Sequence, residues 1–158
     1  MPDATIRPAQ AEDLEAVLDL WEELMHHHAR LDPRFQPAED ARDVFPETML
    51  EWIKDEVRRV LVAAKDDGEL VGYAVAVIAE NPPIYQLRHY AHVSDICVAP
   101  IWRRRGLGRR LFAALSTWFL QYGVGVVRVS VAALNLDSLA FWRKMGFRDH
   151  THRLWLDL

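Results

Sequence analysis

The chain has 158 residues, a length that fits one domain able to bury roughly two thirds of the surface its unfolded form exposes. Hydrophobic residues at 51% and charged residues at 27% exclude a disordered segment, and a net charge of −4 gives no global reason to bind nucleic acid or an anionic membrane. The one cysteine, Cys97, excludes an internal disulfide and a thiolate-rich metal site and suits a reducing cytoplasm, and no apolar run approaches the ~20 residues of a membrane span.

The opening segment MPDATIRPAQ lacks the apolar centre of a secretion signal. No repeat, low-complexity tract or long Gly/Ser linker divides the chain, so residues 1–158 are expected to form a single domain. Thr5 to Arg7 ahead of Pro8 read as a short strand, because proline disfavours helix in the residue before it. Leu14, Val17, Leu18, Trp21, Leu24, Met25 and His28 then recur at helical spacing, predicting an amphipathic helix. Asp32 to Asp43 hold two prolines and no periodicity, which predicts a loop. Pro46 suits a first helical position, followed by the apolar stripe Met49, Leu50, Ile53 and Val57.

The period then changes. Val60 to Ala64 and Leu70 to Ile78 read as strands joined through the turn residues Asp66, Asp67 and Gly68. His92 to Val98 reads as a strand ended by Pro100, Arg105 to Tyr122 as a helix, and Val126 to Ala132 as the most β-rich run of the chain. Ser138 to Met145 predicts a short helix and Leu154 to Leu158 a closing strand. The order β-α-α-β-β-β-α-β-α-β predicts an α/β sandwich: a mixed, mostly antiparallel sheet with helices on both faces.

The stretch from Ser94 to Leu111 carries the chemistry. A strand enters a loop of pattern Arg103-x-x-Gly106-x-Gly108, and the loop opens a helix. Glycines permit torsions that aim successive N–H groups into one concavity, and a helix N-terminus favours an anion there. Arginines at 103, 104, 105, 109 and 110 make the loop basic in an acidic protein, so a pyrophosphate is the natural ligand. A Rossmann dinucleotide site is the rival, but its loop follows the first strand of a parallel array; here it sits two thirds along the chain after an antiparallel hairpin.

A second element decides between them. Asn135, Ser138, Phe141, Trp142, Gly146 and Phe147 follow the β-rich run at fixed spacing. Together with the glycine loop, this pattern resembles the GNAT superfamily of acetyl-CoA-dependent N-acetyltransferases, most strongly over residues 90–147. The resemblance implies a sheet whose fourth and fifth strands splay to admit acetyl-CoA. It implies that main-chain N–H groups from Arg104, Arg105, Gly106, Leu107, Gly108 and Arg109 hold the pyrophosphate, with Arg103 shaping the loop. Main-chain groups of Ile96, Cys97 and Val98 would pair with the pantetheine arm and polarise the thioester carbonyl. Asn135 would bond the pantetheine amide, with Ser138 beside the cofactor; Asn135 could equally cap the helix that follows it.

Acetylating an amine requires a base, because an alkylamine is mostly ammonium at neutral pH. Counting back from the loop, His92 falls where some family members carry a catalytic Glu or His, and it alternates onto one strand face with Ser94 and Ile96. Asp95 is the second candidate, on the other face unless a bulge intervenes. The family often has a tyrosine at the position of Trp142, where it protonates the departing thiolate; indole cannot do this, so water is expected to serve and Trp142 to pack against the cofactor. Tyr85 and Tyr90 are remote substitutes. His26, His27 and His28 diverge by about 100° each along a helix and predict no metal site. Cys97 is expected to be a buried small hydrophobe rather than a nucleophile. The expected acceptor is a small-molecule amine in preference to a protein amine, and the expected state a monomer or homodimer. A catalytically silent acyl-CoA-binding module is the alternative.

Overall fold

The computed structural model describes residues 3–158. Five strands form one sheet in chain order: β1 (Thr5–Pro8), β2 (Arg58–Ala64), β3 (Leu70–Glu80), β4 (His89–Val98) and β5 (Val127–Val129). Neighbours from β1 to β4 pair antiparallel, and β5 joins β4 in parallel. The helices are α1 (Leu14–Leu31), α2 (Ala41–Lys54), α3 (Leu107–Gln121) and α4 (Leu136–Lys144). This is the mixed, mostly antiparallel α/β sandwich that the element order predicts. No helix among the described residues is long and apolar enough to cross a membrane.

Each face of the sheet has its own core. Leu111, Leu115, Trp118 and Phe119 form one stripe of α3, at helical spacing, and lie with Trp142 of α4 on Ala74, Ala76, Ala91 and Val93. Alanines on the strands leave room for the large side chains of the helices. On the other face Val17, Leu18 and Trp21 of α1 and Met49 of α2 cover Val62, Tyr73, Val75 and Cys97. With both faces covered, β3 reads as an almost unbroken apolar run instead of an alternating one. Truncating a wholly buried leucine such as Leu111 would cost about 2–5 kcal/mol.

Two expectations fail here. The helix expected to begin at Pro46 begins at Ala41 and carries Pro46 inside it. Tertiary contacts outweigh the hydrogen bond that proline forfeits: Arg42 reaches Asp19 at 2.8 Å and Glu15 at 3.2 Å on α1, and Phe45 stacks on Trp21 at 4.3 Å between ring centroids. The closing strand at Leu154 to Leu158 is also absent, and these residues adopt no regular structure. A strand needs a ladder, and β5 is three residues long instead of the seven expected from Val126 to Ala132. Trp155 instead lies under the Arg34 guanidinium and donates its indole N–H to Asp157.

Candidate active site

The glycine loop starts from torsions that only some residues tolerate. After β4 the chain makes a 3-10 turn over Pro100–Trp102, then Arg104 takes φ 63° and Gly106 takes φ 80°. Two left-handed residues around Arg105 turn the chain sharply, and α3 begins at Leu107. The turn leads directly into the N-terminus of α3, a setting that suits an anion in general. Arg103 anchors it: its Nε donates to the Val98 carbonyl at 2.9 Å, and its guanidinium reaches Glu23 of α1 at 3.4 Å. Arg105 lies over the ring of buried Trp102. The two glycines differ in their reasons. Gly106 is needed for its torsion, whereas at Gly108 an added Cβ would meet the Phe141 ring at 3.5 Å and Ile96 at 3.9 Å, an ordinary contact that narrows the groove beside the loop.

Beside this loop the sheet opens. β5 pairs with β4 only through Ala91, His92 and Val93, so β4 from Ser94 onward has no β5 partner. The strands part as the resemblance implies, and Ile96, Cys97 and Val98, paired with β3 on one side, lie in the stretch that has no β5 partner on the other. Their side chains divide between the faces: Ile96 and Val98 pack into the α3 core, and Cys97 into the α1 core. The Cys97 thiol donates to the Leu20 carbonyl at 3.4 Å, and burial pushes it up to about 12, which removes it as a nucleophile.

The base candidates stand where a bulge puts them. Val75 pairs with Asp95 and its neighbour Ala76 with Val93, leaving Ser94 as an extra residue in β4. The simple alternation that grouped His92 with Ser94 and Ile96 is therefore overturned. His92 lies opposite Val77, Asp95 opposite Val75 and Cys97 opposite Tyr73, so His92 and Asp95 share the α1 face. His92 is half-buried, and burial, then the positive charge of Arg128, hold its imidazole below the usual range. Asp95 accepts a hydrogen bond from the Tyr73 hydroxyl at 3.1 Å. Burial pushes its carboxyl above the usual carboxylate range, and the bond from Tyr73 offsets only part of that rise.

The second motif forms the opposite wall. Asn135 is buried, and its side-chain oxygen accepts from the Ser138 N–H at 3.1 Å, capping α4. Asn135, with Leu134 and Asp137, faces His27 and Leu31 of α1 across a cavity of about 230 Å³. Trp142 is packed by Phe112 at 5.5 Å and by Phe141 and Phe147 at 5.0 Å each. Its indole therefore sits in the α3 core; Phe141 is the ring beside Gly108. Tyr85 is exposed, and the Tyr90 ring is covered by the Arg128 guanidinium at 3.8 Å. Among the described residues no group of His, Cys, Asp or Glu is placed to hold a metal. Sequence reasoning missed Tyr73 and Arg128. Each had a signal: Tyr73 carries the one hydroxyl in the run Leu70 to Ile78, and Arg128 the one charge in Val126 to Ala132.

Residues 21–147 match the acetyltransferase (GNAT) family, and the chain belongs to that family. The chain is 32% identical over 95 residues to streptothricin acetyltransferase of Streptomyces lavendulae, covering 60% of this chain and 47% of that protein. It is 35% identical over 88 residues to the N-alpha-acetyltransferase RimI of Mycobacterium tuberculosis, covering 55% and 51%. The chain thus spans about half the length of these relatives. The BH1408 protein of Bacillus halodurans, solved as a tetramutant, superposes with a TM-score of 0.89 at 23% identity, covering 98% of this chain and 99% of that one; at that identity the likeness concerns the fold.

Proposed function

We propose that the chain transfers the acetyl group of acetyl-CoA to a primary amine, by direct attack within a ternary complex. The observation that carries this reading is the adjacency of the left-handed glycine loop to the unpaired end of β4. A loop built for pyrophosphate opens beside a strand whose main chain is free to pair with an extended amide-bearing arm.

In this reading N–H groups from Arg104 to Arg109 hold the pyrophosphate and Arg103 keeps the loop against β4. An N–H in the Ile96–Val98 stretch donates to the thioester oxygen and stabilises the oxyanion, an effect worth ~3 kcal/mol. The Asn135 oxygen is committed to the α4 cap, so its amide N–H₂ is the group left for the pantetheine, with Ser138 next to it. His92, kept neutral by burial and by Arg128, accepts the proton of the incoming ammonium. The amine nitrogen attacks the carbonyl carbon, the C–S bond breaks, and water protonates the thiolate.

A small-molecule amine is the favoured acceptor. The relative named for streptothricin supports it, and so does an acceptor face roofed by α1 and α2. The embedding of Trp142 in the aromatic core favours one competitor, a silent acyl-CoA-binding module. One experiment separates the two: thiol release from acetyl-CoA across a panel of primary amines, small molecules and peptide N-termini alike. Turnover with any of them supports transfer, and cofactor binding without turnover supports the silent module.

A further inference from the structure

Tyr73 is a polar side chain in a place that does not call for one. It is wholly buried, central to β3, and surrounded by Val62, Val75, Leu18 and Met49. A phenylalanine would fill the same volume without a hydroxyl to satisfy, since burying an unpaired hydroxyl costs about 1–3 kcal/mol. The hydroxyl has one partner, the Asp95 Oδ2 at 3.1 Å, and burial keeps its own proton firmly in place, so it donates. The other Asp95 oxygen has no hydrogen-bond partner among the described residues. Asp95 reaches this face through the Ser94 bulge and is half-buried, so it keeps some open surface there.

A carboxylate with one oxygen held by Tyr73 and the other without a hydrogen-bond partner among the described residues, on the sheet face that His92 shares, is an arrangement for a cation. We propose that Asp95 holds the ammonium of the acceptor beside His92, and that Tyr73 is the positioning residue that fixes the carboxylate for this purpose. The inference rests on the acetyl-transfer reading and adds a division of labour to it: Asp95 binds the charged amine and His92 removes its proton. Other charged or titratable groups on or beside this face include His92 and Cys97 on β4, Arg58 on β2 opposite Val77 and paired with Asp55, Arg128 on β5, Arg103 after β4 and Glu23 on α1. Arg128 acts on His92, not on Asp95, and the hydrogen bond from Tyr73 is what opposes the burial of Asp95.

The test uses Tyr73→Phe, which removes one oxygen and keeps the ring. Carbon-13 titration of the Asp95 carboxyl should show its midpoint raised by about one pH unit in the variant, the consequence of losing a bond to the charged form. An unchanged midpoint overturns the positioning role. With the amine that wild type acetylates best, KM for the amine at pH 6.5 should rise about tenfold. Saturated kcat and the dissociation constant of acetyl-CoA should stay within about twofold. A fall in kcat at unchanged KM overturns the anchor. Asp95→Asn gives a second route should Tyr73→Phe fold poorly: it keeps an acceptor for the tyrosine and removes the charge, so a KM equal to wild type also overturns the proposal. If no amine turns over, acetyl transfer fails on that result alone. Binding of ethylammonium, followed at the Asp95 carboxyl, then decides the anchor: perturbation lost in Asp95→Asn supports it, and no perturbation in wild type overturns it.

Discussion

Gly72 of β3 lies one step along from the partner of Cys97 on β4, opposite Val98, and so close to it that a Cβ on Gly72 would stand 2.9 Å from the Cys97 carbonyl oxygen. Backbone cannot yield there as the end of a flexible side chain could. Gly72→Ala is therefore expected to destabilise the protein by about 1–3 kcal/mol, as forced overpacking does. Urea denaturation of the two proteins measures this directly; equal midpoints would show that β3 and β4 separate at little cost. The same contact touches function, because Cys97 belongs to the stretch assigned to the pantetheine.

The glycine loop allows a test with an internal control. Gly106 at φ +80° and Gly68 at φ +88° share a left-handed φ, and neither would meet an atom within 4 Å if given a Cβ. A β-branched residue should strain both by about 1–3 kcal/mol. Gly106→Val should weaken acetyl-CoA binding at least tenfold by calorimetry, whereas Gly68→Val, in the β2–β3 hairpin, should leave binding unchanged. Equal affinities in the two variants would remove the loop from the cofactor site.

The role of His92 has a definite pH signature. Its folded pKa lies below the ordinary 6.5, so the imidazole is neutral at pH 7 and becomes charged only as the pH falls through that lowered value. Activity should rise with pH through an apparent pKa below 6.5 and then level off. His92→Ala should erase that limb and lower kcat/KM roughly 10²-fold. Arg128→Leu should move the limb upward, because the repelling charge is gone. Two amines of different pKa separate a limb due to the enzyme, which stays put, from one due to the substrate, which moves.

Trp142 should behave as a core residue. Trp142→Tyr loses contacts with Phe112, Phe141 and Phe147 and is expected to lower stability by about 1–3 kcal/mol, with kcat changing less than twofold. A tenfold rise in kcat, equal to about 1.4 kcal/mol of barrier, would show that protonation of the thiolate limits the wild-type reaction.

What could be read from the residues divides along physical lines. α1 and α3 were legible because one apolar stripe at 3.6-residue spacing has no other use. The loop was legible because glycine torsions and a helix start have a chemistry of their own. Pro46 misled because the forces that extend α2, through Arg42 and Phe45, act between helices and leave no local mark. Leu154 to Leu158 misled in the opposite way: the alternation of a strand was present without a ladder for it to join. The bulge at Ser94 could be allowed for from the residues but not located. A period of two carries no sign of where one residue is looped out, and that residue decides which face Asp95 takes.

The Ser94 bulge lets β4 hold one residue more than the strand it pairs with and still keep its two cores apart. Exchanging Ser94 for another small residue changes one exposed side chain. Deleting it would set Asp95 directly after Val93, a regular alternation that keeps Asp95 and Cys97 toward α1 and Ile96 and Val98 toward α3. Flattening the bulge with Ser94 drawn into the ladder would do the opposite and turn Asp95 and Cys97 toward α3. A one-residue gap at Ser94 therefore leaves both cores as they are, as would a gap in the exposed loop between Asn81 and Arg88.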